Sequence, residues 1–335
     1  MGVQISRLIE PVEIKLEDLL GRRIAIDSFN ILFQFLSSIR QYDGTPLMDS
    51  HGRITSHLSG LFYRTSKFME IGIKPIFVFD GEAPLLKQET QKERREQRQK
   101  AKEQMEIARQ EGKWEEARKY AQQSASLTDE MIKESKDLIK AMGLPVVQAP
   151  SEGEAEAAYL VKKGEAWATG SQDWDSLLFG SERLIQNLSI SGRKKRGNTY
   201  VQINPQLIEL KKILDQLKIN NDQLILLGIL IGTDFNPGIK GIGPIKGLTI
   251  VKKCKTPEDL EKTVDWSFST PARKIFEIFK NPAVADVKID FNLPDSEKIK
   301  KILVDEHDFS EERVQKVLNK IIGLKRESSL DKWVK

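Results

Sequence analysis

Seven acidic residues in this chain have the type and spacing needed to bind metal ions. Four come at or just after the end of a segment rich in β-branched and aromatic residues, and each such segment is typical of a buried strand. Two more, Glu154 and Asp175, each lie two residues after a member of this set, and Asp234 lies in the motif IGTDFNPG. The seven are Asp27, Asp80, Glu152, Glu154, Asp173, Asp175 and Asp234. Because α/β sheets bind ligands at the carboxyl ends of their strands, we expect these acids to converge on one crevice.

So many carboxylates in one crevice need a cation among them. Like charges repel strongly in a low dielectric and raise one another's pKa values. All the candidate ligands are oxygens, whereas the three histidines and the single cysteine, Cys254, lie outside these motifs. This donor set favours Mg²⁺ or Mn²⁺ over Zn²⁺. Because one octahedral ion cannot use seven acids, the sequence predicts two ions.

Six of these acids also have an ordinary structural interpretation, which for Asp173 and Asp175 is a surface turn. Asp27 and Asp80 are residues that often form turns at strand ends. Ser151 and Glu154 match the S-x-x-E capping box at a helix start, and Asp234 suits an Asx turn. The repeated placement of acids after four successive strands favours the metal site over these separate interpretations.

The segment after Asp80 is basic and carries two residues suited to phosphate chemistry. Between Lys87 and Lys102, seven Lys or Arg residues outnumber three Glu residues. Lys87 and Arg94 are seven residues apart, so on one helix they would share a face. A Lys and an Arg beside a metal site can hold and polarise a phosphate. For the segment as a whole, a solvated helix with internal ion pairs is the alternative.

A glycine-rich turn in NPGIKGIGPIKGL indicates a second phosphate-binding surface. Gly241 and Gly243 let a ligand approach the backbone closely, and Pro244 suits the first turn of a following helix. Exposed N–H groups there can bind a phosphate, helped by Lys240 and Lys246. Such binding reads the backbone of a nucleic acid rather than its sequence. A simple turn between two packed helices fits this stretch equally well.

The elements that must position these residues alternate along the chain. The strand segments are RRIAID, PIFVFD, LPVVQAP and EAWATGSQD, and residues 30–40, 56–71 and 126–142 have helical spacing. This alternation predicts an α/β fold with a mainly parallel central sheet flanked by helices. We expect a further strand, RLIQNLSI, to form a hairpin with TYVQI through the basic tip SGRKKRGN, and a mostly helical pattern from Pro205 onward.

The stretch TGSQDWDSLLFG sets Trp174 between Asp173 and Asp175. If the chain is still extended there, residues two apart point the same way, so both acids face the crevice. Trp174 then turns into the fold and anchors the two carboxylates.

Composition excludes several other classes of protein. A chain of 335 residues that is 39% hydrophobic can bury a substantial core. One cysteine excludes an intrachain disulfide framework, no apolar run is long enough to span a bilayer, and the first residues lack a secretory signal. We therefore expect an intracellular protein. The net charge of +4 is only a weak indication of a polyanionic partner.

Six stretches together resemble the flap endonucleases, structure-specific 5′ nucleases of DNA replication and repair. They are MGVQISRLI, IAIDSFNILFQFL, FVFDGEAPLLKQET, APSEGEAEAAYL, TGSQDWDSLLFG and LIGTDFNPGIKGIGPIKGL, in family order over nearly the whole chain. The resemblance implies that the seven acids bind the metal ions and that Lys87 and Arg94 lie in a helical arch above them. It also implies that the glycine-rich turn belongs to a helix-two-turn-helix that holds duplex DNA and a monovalent cation, and that Gly2 lies near the DNA. The catalytic set would be Lys87, Arg94, Asp27, Asp80, Glu152 and Asp175.

Two stretches depart from the family pattern. Phe33 stands where members often have a tyrosine that stacks on DNA, which keeps the stacking face without the hydroxyl. The tail ESSLDKWVK resembles a sliding-clamp-binding peptide through Leu330 and Trp333. It has Glu327 and Val334 where a glutamine and an aromatic residue are usual. Because the sequence has no long basic tail after this peptide, it resembles the archaeal members of the family rather than the eukaryotic ones.

The resemblance implies a monomeric enzyme with two Mg²⁺ ions, replaceable by Mn²⁺, that hydrolyses a DNA phosphodiester where a 5′ flap joins the duplex. The expected organisation is a nuclease core at 1–255, with the arch at 82–123 and the helix-two-turn-helix at 220–255, a helical part at 256–326 and a clamp-binding tail at 327–335. Two other functions remain open. A metal-dependent phosphatase would share the acids without needing the arch or the glycine-rich turn, and a non-catalytic junction-binding scaffold would keep the basic elements without needing seven acids.

Overall fold

The computed structural model describes residues 3, 5–189, 193–196 and 199–327. Its strands are β1 (Val12–Glu13), β2 (Arg23–Asp27), β3 (Lys74–Phe79), β4 (Val146–Gln148), β5 (Ala168–Gly170), β6 (Arg183–Gln186), β7 (Arg193–Arg196), β8 (Thr199–Gln202) and β9 (Gln206–Glu209). Its helices are α1 (Ser28–Ser38), α2 (Ser56–Ile71), α3 (Gln88–Gln110), α4 (Trp114–Gln123), α5 (Asp129–Ala141), α6 (Gly153–Lys162), α7 (Asp175–Leu178), α8 (Leu210–Leu217), α9 (Asn221–Ile231), α10 (Pro244–Val251), α11 (Pro257–Thr263), α12 (Ala272–Lys280), α13 (Ser296–Lys300) and α14 (Glu311–Glu327). Within these ranges no helix is both long and apolar enough to cross a membrane.

Seven strands form one central sheet in the order β1-β9-β6-β5-β2-β3-β4. β5 pairs in parallel with both β2 and β6, while β9 pairs antiparallel with β6 and β1. The predicted α/β class with a helix-flanked sheet is therefore confirmed, with an antiparallel edge at β9 and β1. The four strand segments proposed from sequence become β2, β3, β4 and β5.

The predicted hairpin is wrong in its first strand. β6 ends at Gln186 and belongs to the central sheet, so it does not pair with TYVQI. The hairpin is instead formed by β7, which lies in the predicted basic tip, and by β8, with Arg193 opposite Gln202. A strand ladder uses backbone N–H and C=O groups, which basic residues supply as well as apolar ones, so hydrophobic pattern alone did not reveal β7.

The chain divides into two compact units. Unit 1 comprises Met1–Asp27, Val78–Thr90 and Gln148–Val287, and unit 2 comprises Ser28–Phe77, Gln91–Val147 and Lys288–Lys335. All seven candidate acids and Lys87 belong to unit 1, whereas Phe33 and Arg94 belong to unit 2. The predicted domain boundaries near residues 255 and 326 stay a prediction.

The core of unit 1 is built around the almost wholly apolar helix α9. Its residues Leu224 to Leu230 are buried, and α7, α10 and α12 pack against it. A capping box starts this helix, because Asn220 accepts from the Gln223 N–H and the Gln223 side chain accepts from the Asn220 N–H. Trp174 joins the same core with 7% of its surface exposed.

Unit 2 is organised around α2, which packs against α1, α5 and α14. At Gly60 a Cβ atom would lie 2.2 Å from Cγ of Phe35, so only glycine lets α1 and α2 approach this closely. Helix α5 starts at a conventional cap, in which the Thr128 hydroxyl accepts from the Met131 N–H.

Candidate active site

The seven acids reach unit 1 from five places in the chain, and each place follows from local structure. Asp27 is the last residue of β2, and Asp80 directly follows β3. Glu152 and Glu154 flank the first residue of α6, Asp173 and Asp175 lie at the start of α7, and Asp234 lies in the turn after α9. Asp27 and Asp80 therefore lie at strand ends, as the sequence predicted, whereas the next four acids lie at helix starts and Asp234 lies in a turn.

One group of acids surrounds Lys87. The Lys87 Nζ atom lies 2.5 Å from Oε2 of Glu152 and 3.4 Å from Oδ2 of Asp234. Burial raises the pKa of Asp80 and of Glu152, and in each case Lys87 opposes the rise. Burial alone would lower the pKa of Lys87, but Glu152 and Asp234 outweigh it and raise this pKa above its usual value. Lys87 therefore remains protonated among these acids.

A second group of acids gathers around Glu154. Burial, followed by repulsion from Asp175, Asp173 and Asp27, raises the pKa of Glu154 well above its usual range. Burial also raises the pKa of Asp175 to about 7, with repulsion from Asp234 and Asp173 adding to it. The repulsion between Asp175 and Asp234 links the two groups electrostatically.

Three hydrogen bonds hold acids of this site in place, and sequence reasoning missed all three donors. The Gly153 N–H donates to Oδ1 of Asp80 at 2.7 Å, and the Val3 N–H donates to Oδ1 of Asp175 at 2.8 Å. The Ser171 hydroxyl donates to Oε1 of Glu154 at 3.0 Å. A Cβ at residue 153 would lie 2.6 Å from Oδ1 of Asp80, so a larger residue there would displace the carboxylate that Gly153 holds. Two donors are backbone groups, for which side-chain types carry no signal.

The donor set fits magnesium. All candidate ligand atoms are carboxylate oxygens, which hard divalent cations prefer. In the part of the chain that the structure describes, no three His, Cys, Asp or Glu side chains are arranged to hold a single ion. Mg²⁺ is usually bound through only one or two carboxylates, with waters and substrate phosphates completing its shell. This arrangement of acids is therefore compatible with Mg²⁺.

Two local expectations about these acids are wrong. The chain is not extended between Asp173 and Asp175, because Trp174 has helical dihedral angles (φ −89°, ψ −5°) and α7 starts at Asp175. Trp174 is nevertheless buried, as predicted, because the helical turn directs it into the core. Ser151 forms no capping box with Glu154, since its hydroxyl donates to the Glu82 carbonyl and α6 starts two residues later.

Lys87 and Arg94 do not lie on one continuous helix. Lys87 ends a short 3₁₀ turn, Leu85–Lys87, and α3 begins at the next residue. Arg94 is half-buried in α3. The expected segment 82–123 does contain two helices, α3 and α4, but the shared role of these two residues stays a prediction.

The glycine-rich turn joins α9 to α10 as the sequence predicts. Gly243 caps α10, and Pro244 is its first residue. Gly241 has a φ of +80°, which favours glycine. Gly241, Gly243, Lys240 and Lys246 are all exposed, and a Cβ at either glycine would meet no atom within 4 Å. Packing within the described residues therefore leaves this surface open to a ligand.

The remaining candidate residues have different outcomes. Phe33 is half-buried on α1, and the Arg98 guanidinium lies 4.8 Å from its ring centroid, so a cation already lies over one face of the ring. Gly2, Leu330 and Trp333 lie outside the described residues.

Comparison with known proteins agrees with this geometry. Residues 1–101 match the XPG N-terminal domain, and residues 143–234 match the XPG I-region. The chain is 52% identical to flap endonuclease 1 of Staphylothermus marinus, covering 98% of this chain and 96% of the relative. It is 51% identical to flap endonuclease 1 of Pyrococcus furiosus, covering 100% of both.

Solved structures agree as well. Flap endonuclease-1 from Methanococcus jannaschii is similar, with a TM-score of 0.78 at 42% identity over 98% of this chain and 100% of that one. The catalytic core of Rad2 in complex with DNA substrate shares the fold, with a TM-score of 0.69 at 24% identity over 95% and 97% of the two chains. The sheet, the acids at its strand ends and the two matched regions define a nuclease of the XPG class. Within that class, the chain belongs to the flap endonuclease 1 family.

Proposed function

We propose that the two acid groups around Lys87 and Glu154 are the catalytic centre of this flap endonuclease, and that they bind two Mg²⁺ ions, which Mn²⁺ can replace. The activity follows from family membership: the chain is a structure-specific 5′ flap endonuclease that hydrolyses a DNA phosphodiester in replication and repair. The substrate is branched DNA, and the cut falls near the junction of the flap with the duplex.

The observation that carries this proposal is the division of seven acids into two coupled groups. Asp80, Glu152 and Asp234 surround Lys87, while Asp27, Asp173 and Asp175 raise the pKa of Glu154. Acids whose pKa values are raised by burial and mutual repulsion are stabilised as anions when cations bind between them. Two such groups, linked by the repulsion between Asp175 and Asp234, support two ions.

The chain's own residues bind and orient the substrate. Bound Mg²⁺ would supply charge stabilisation at the phosphate and water with a lowered pKa. Lys87 lies at the end of the 3₁₀ turn before α3, and its ammonium group can offset charge that develops on the phosphate. Arg94 would act on the same phosphate from α3.

Duplex DNA would bind at the glycine-rich turn and its lysines. The exposed backbone of Gly241 and Gly243, with Lys240 and Lys246, suits a phosphate and a monovalent cation that neutralises it. Phe33 would stack on a base, and Gly2 would lie near the DNA. We further propose that the chain is a monomer and that Leu330 and Trp333 bind a sliding clamp.

One assay distinguishes the nuclease from the alternatives. The protein is incubated with a 5′-flap duplex and, separately, with a phosphate monoester, each with Mg²⁺ and with chelator. We expect Mg²⁺-dependent cutting of the flap only. Hydrolysis of the monoester alone would favour a phosphatase, and flap binding with no reaction would favour a scaffold.

Asp175→Asn tests the site directly. Loss of this carboxylate should abolish cutting while flap binding stays close to wild type, because the residue lies in the acid group and not on the glycine-rich surface. Asp290→Asn, at an exposed acid of unit 2, is the control and should cut normally. Unchanged turnover of Asp175→Asn would show that Asp175 is not part of the catalytic centre.

A further inference from the structure

Ser171 connects two of the acids through one hydroxyl group. It directly follows β5, and only 6% of its surface is exposed. Its Oγ donates to Oε1 of Glu154 at 3.0 Å and accepts from the Asp173 N–H at 3.1 Å. Its own N–H donates to the Ile185 carbonyl on β6 at 3.2 Å, which ties the residue to the central sheet.

The direction of these bonds determines what the hydroxyl can do. A serine hydroxyl has a single proton, and here one of its lone pairs is occupied by the Asp173 N–H. The proton is therefore available to Glu154, whose carboxylate oxygen can only accept. Because the site is buried, this bond has little competition from water and holds the carboxylate in one orientation.

We propose that Ser171 is a positioning residue for metal binding: it keeps Glu154 oriented and fixes the loop that carries Asp173. This inference rests on the proposed function of the acid groups. In this role Ser171 acts through Glu154 and Asp173 and does not contact a reacting atom. Partners that orient metal-binding carboxylates typically contribute 10- to 100-fold in metal affinity.

A matched pair of variants separates positioning from ordinary folding. Ser171→Ala removes the hydroxyl that bonds Glu154. Ser181→Ala removes an equally buried hydroxyl, which donates to the Arg183 carbonyl at 2.9 Å. The Ser181 hydroxyl also lies 3.3 Å from Oγ1 of Thr169. Each variant therefore loses two buried hydrogen bonds, so a loss of stability alone should affect them similarly.

The first readout is metal binding to DNA-free protein. Isothermal titration with Mn²⁺ should show about 10- to 100-fold weaker binding for Ser171→Ala than for wild type, and wild-type binding for Ser181→Ala. The second is the Mg²⁺ concentration that gives half-maximal single-turnover cleavage, which should rise by a similar factor for Ser171→Ala. The KM for flap DNA should not change, and saturating Mg²⁺ should restore most of the rate.

The outcomes are distinguishable. Wild-type Mn²⁺ affinity in Ser171→Ala overturns this inference while leaving the proposed function intact, and so does an equal loss in both variants. Wild-type protein that binds no Mn²⁺ and cuts no flap overturns the proposed function and this inference together. If Ser171→Ala does not fold, Ser171→Cys, similar in size but a weak donor, should show the same loss of metal affinity, and a normal affinity there would refute the inference.

Discussion

Lys87 places a positive charge beside Asp80 and Glu152, two acids whose neutral form burial favours. Its Nζ atom contacts both Glu152 and Asp234, and it opposes the rise in the pKa of Asp80. The same ammonium group can also contact a substrate phosphate that binds among these acids. We therefore expect Lys87, which contacts the acids and the phosphate, to affect the chemical step more than substrate binding.

We expect Lys87→Ala to lower kcat by about 10²- to 10³-fold, because the variant loses a charge directed at the developing transition state. Single-turnover cleavage of a 5′-flap duplex measures this effect, and the dissociation constant of the flap should change little. Lys92→Ala, at an exposed lysine of α3, is the control and should cut at close to the wild-type rate. Equal rates for the two variants would contradict a role for Lys87 in the reaction.

At the scale of elements, the turn between α9 and α10 presents a backbone surface rather than a set of side chains. Gly243 caps α10 with extended dihedral angles (φ −99°, ψ −178°) that any residue can adopt. Neither the backbone conformation nor the packing of the described residues therefore requires a glycine at this position. The close approach of a ligand explains the glycine better.

A pair of substitutions at Gly243 tests this explanation. Asp and Asn are equally good helix caps and nearly equal in size, so both variants should be as stable as wild type. Only Asp adds a charge that repels a phosphate. We expect Gly243→Asp to weaken flap binding by about tenfold relative to Gly243→Asn, which corresponds to ~1.4 kcal/mol. Both affinities are measured by fluorescence anisotropy at one salt concentration. Equal affinities would contradict DNA binding at this surface.

Some helices and strands could be predicted from the local sequence pattern, and others could not. The strand ends at Asp27 and before Asp80 were predictable, because each buried β-branched run stops at an acid. The helical turn at Trp174 was not predictable, since an extended chain and a short helix both bury that indole. The first strand of the hairpin, β7, was missed because its ladder depends on backbone pairing rather than on hydrophobicity.

At the scale of the whole molecule, stability depends on a polar network of acids, histidines and Arg53 in unit 2 as well as on the cores. His307 lies 3.1 Å from Asp49 through Nδ1 and 3.3 Å from Glu134 through Nε2. His57 lies 3.2 Å from the other oxygen of Glu134. Arg53 Nε donates to Asp49 at 2.7 Å. This network joins the loop before α2, helix α5 and the segment before α14 within the unit.

The network predicts how stability changes with pH. Burial acts to raise the pKa of Asp49, but hydrogen bonds from Arg53 and His307 outweigh it and lower this pKa to about 2. A carboxyl whose pKa is lower in the folded state stabilises it above the unfolded pKa of about 4, and this contribution is lost as pH falls towards 2. Asp49→Asn should therefore lower the free energy of unfolding at pH 7, and less so towards pH 2.

Urea unfolding at several pH values measures this dependence. Asparagine keeps the shape of Asp49, and its oxygen can still accept from the backbone. Its amide group cannot accept from Arg53, so the variant loses the charge together with that hydrogen bond. Asp290→Asn, at an exposed acid, should show no comparable pH dependence. A constant difference between wild type and Asp49→Asn from pH 7 to pH 2 would contradict a lowered pKa.

The sequence by itself determined which residues have the chemistry for this site. Strand ends, helix starts and turn glycines are local features, so residue type and spacing were enough to select the seven acids, Lys87 and the glycine-rich turn. They were also enough to predict the α/β class and, through resemblance, the family.

Only the tertiary structure decided how these residues are paired. It divided the acids into two groups and selected the donors that orient them: Ser171 bonds Glu154, 17 residues away, and the Val3 N–H bonds Asp175, 172 residues away. Such pairs depend on how the chain folds back on itself, and every residue except proline offers the same backbone N–H. No local pattern therefore distinguishes Val3 from its neighbours, although its bond is part of what holds the site together.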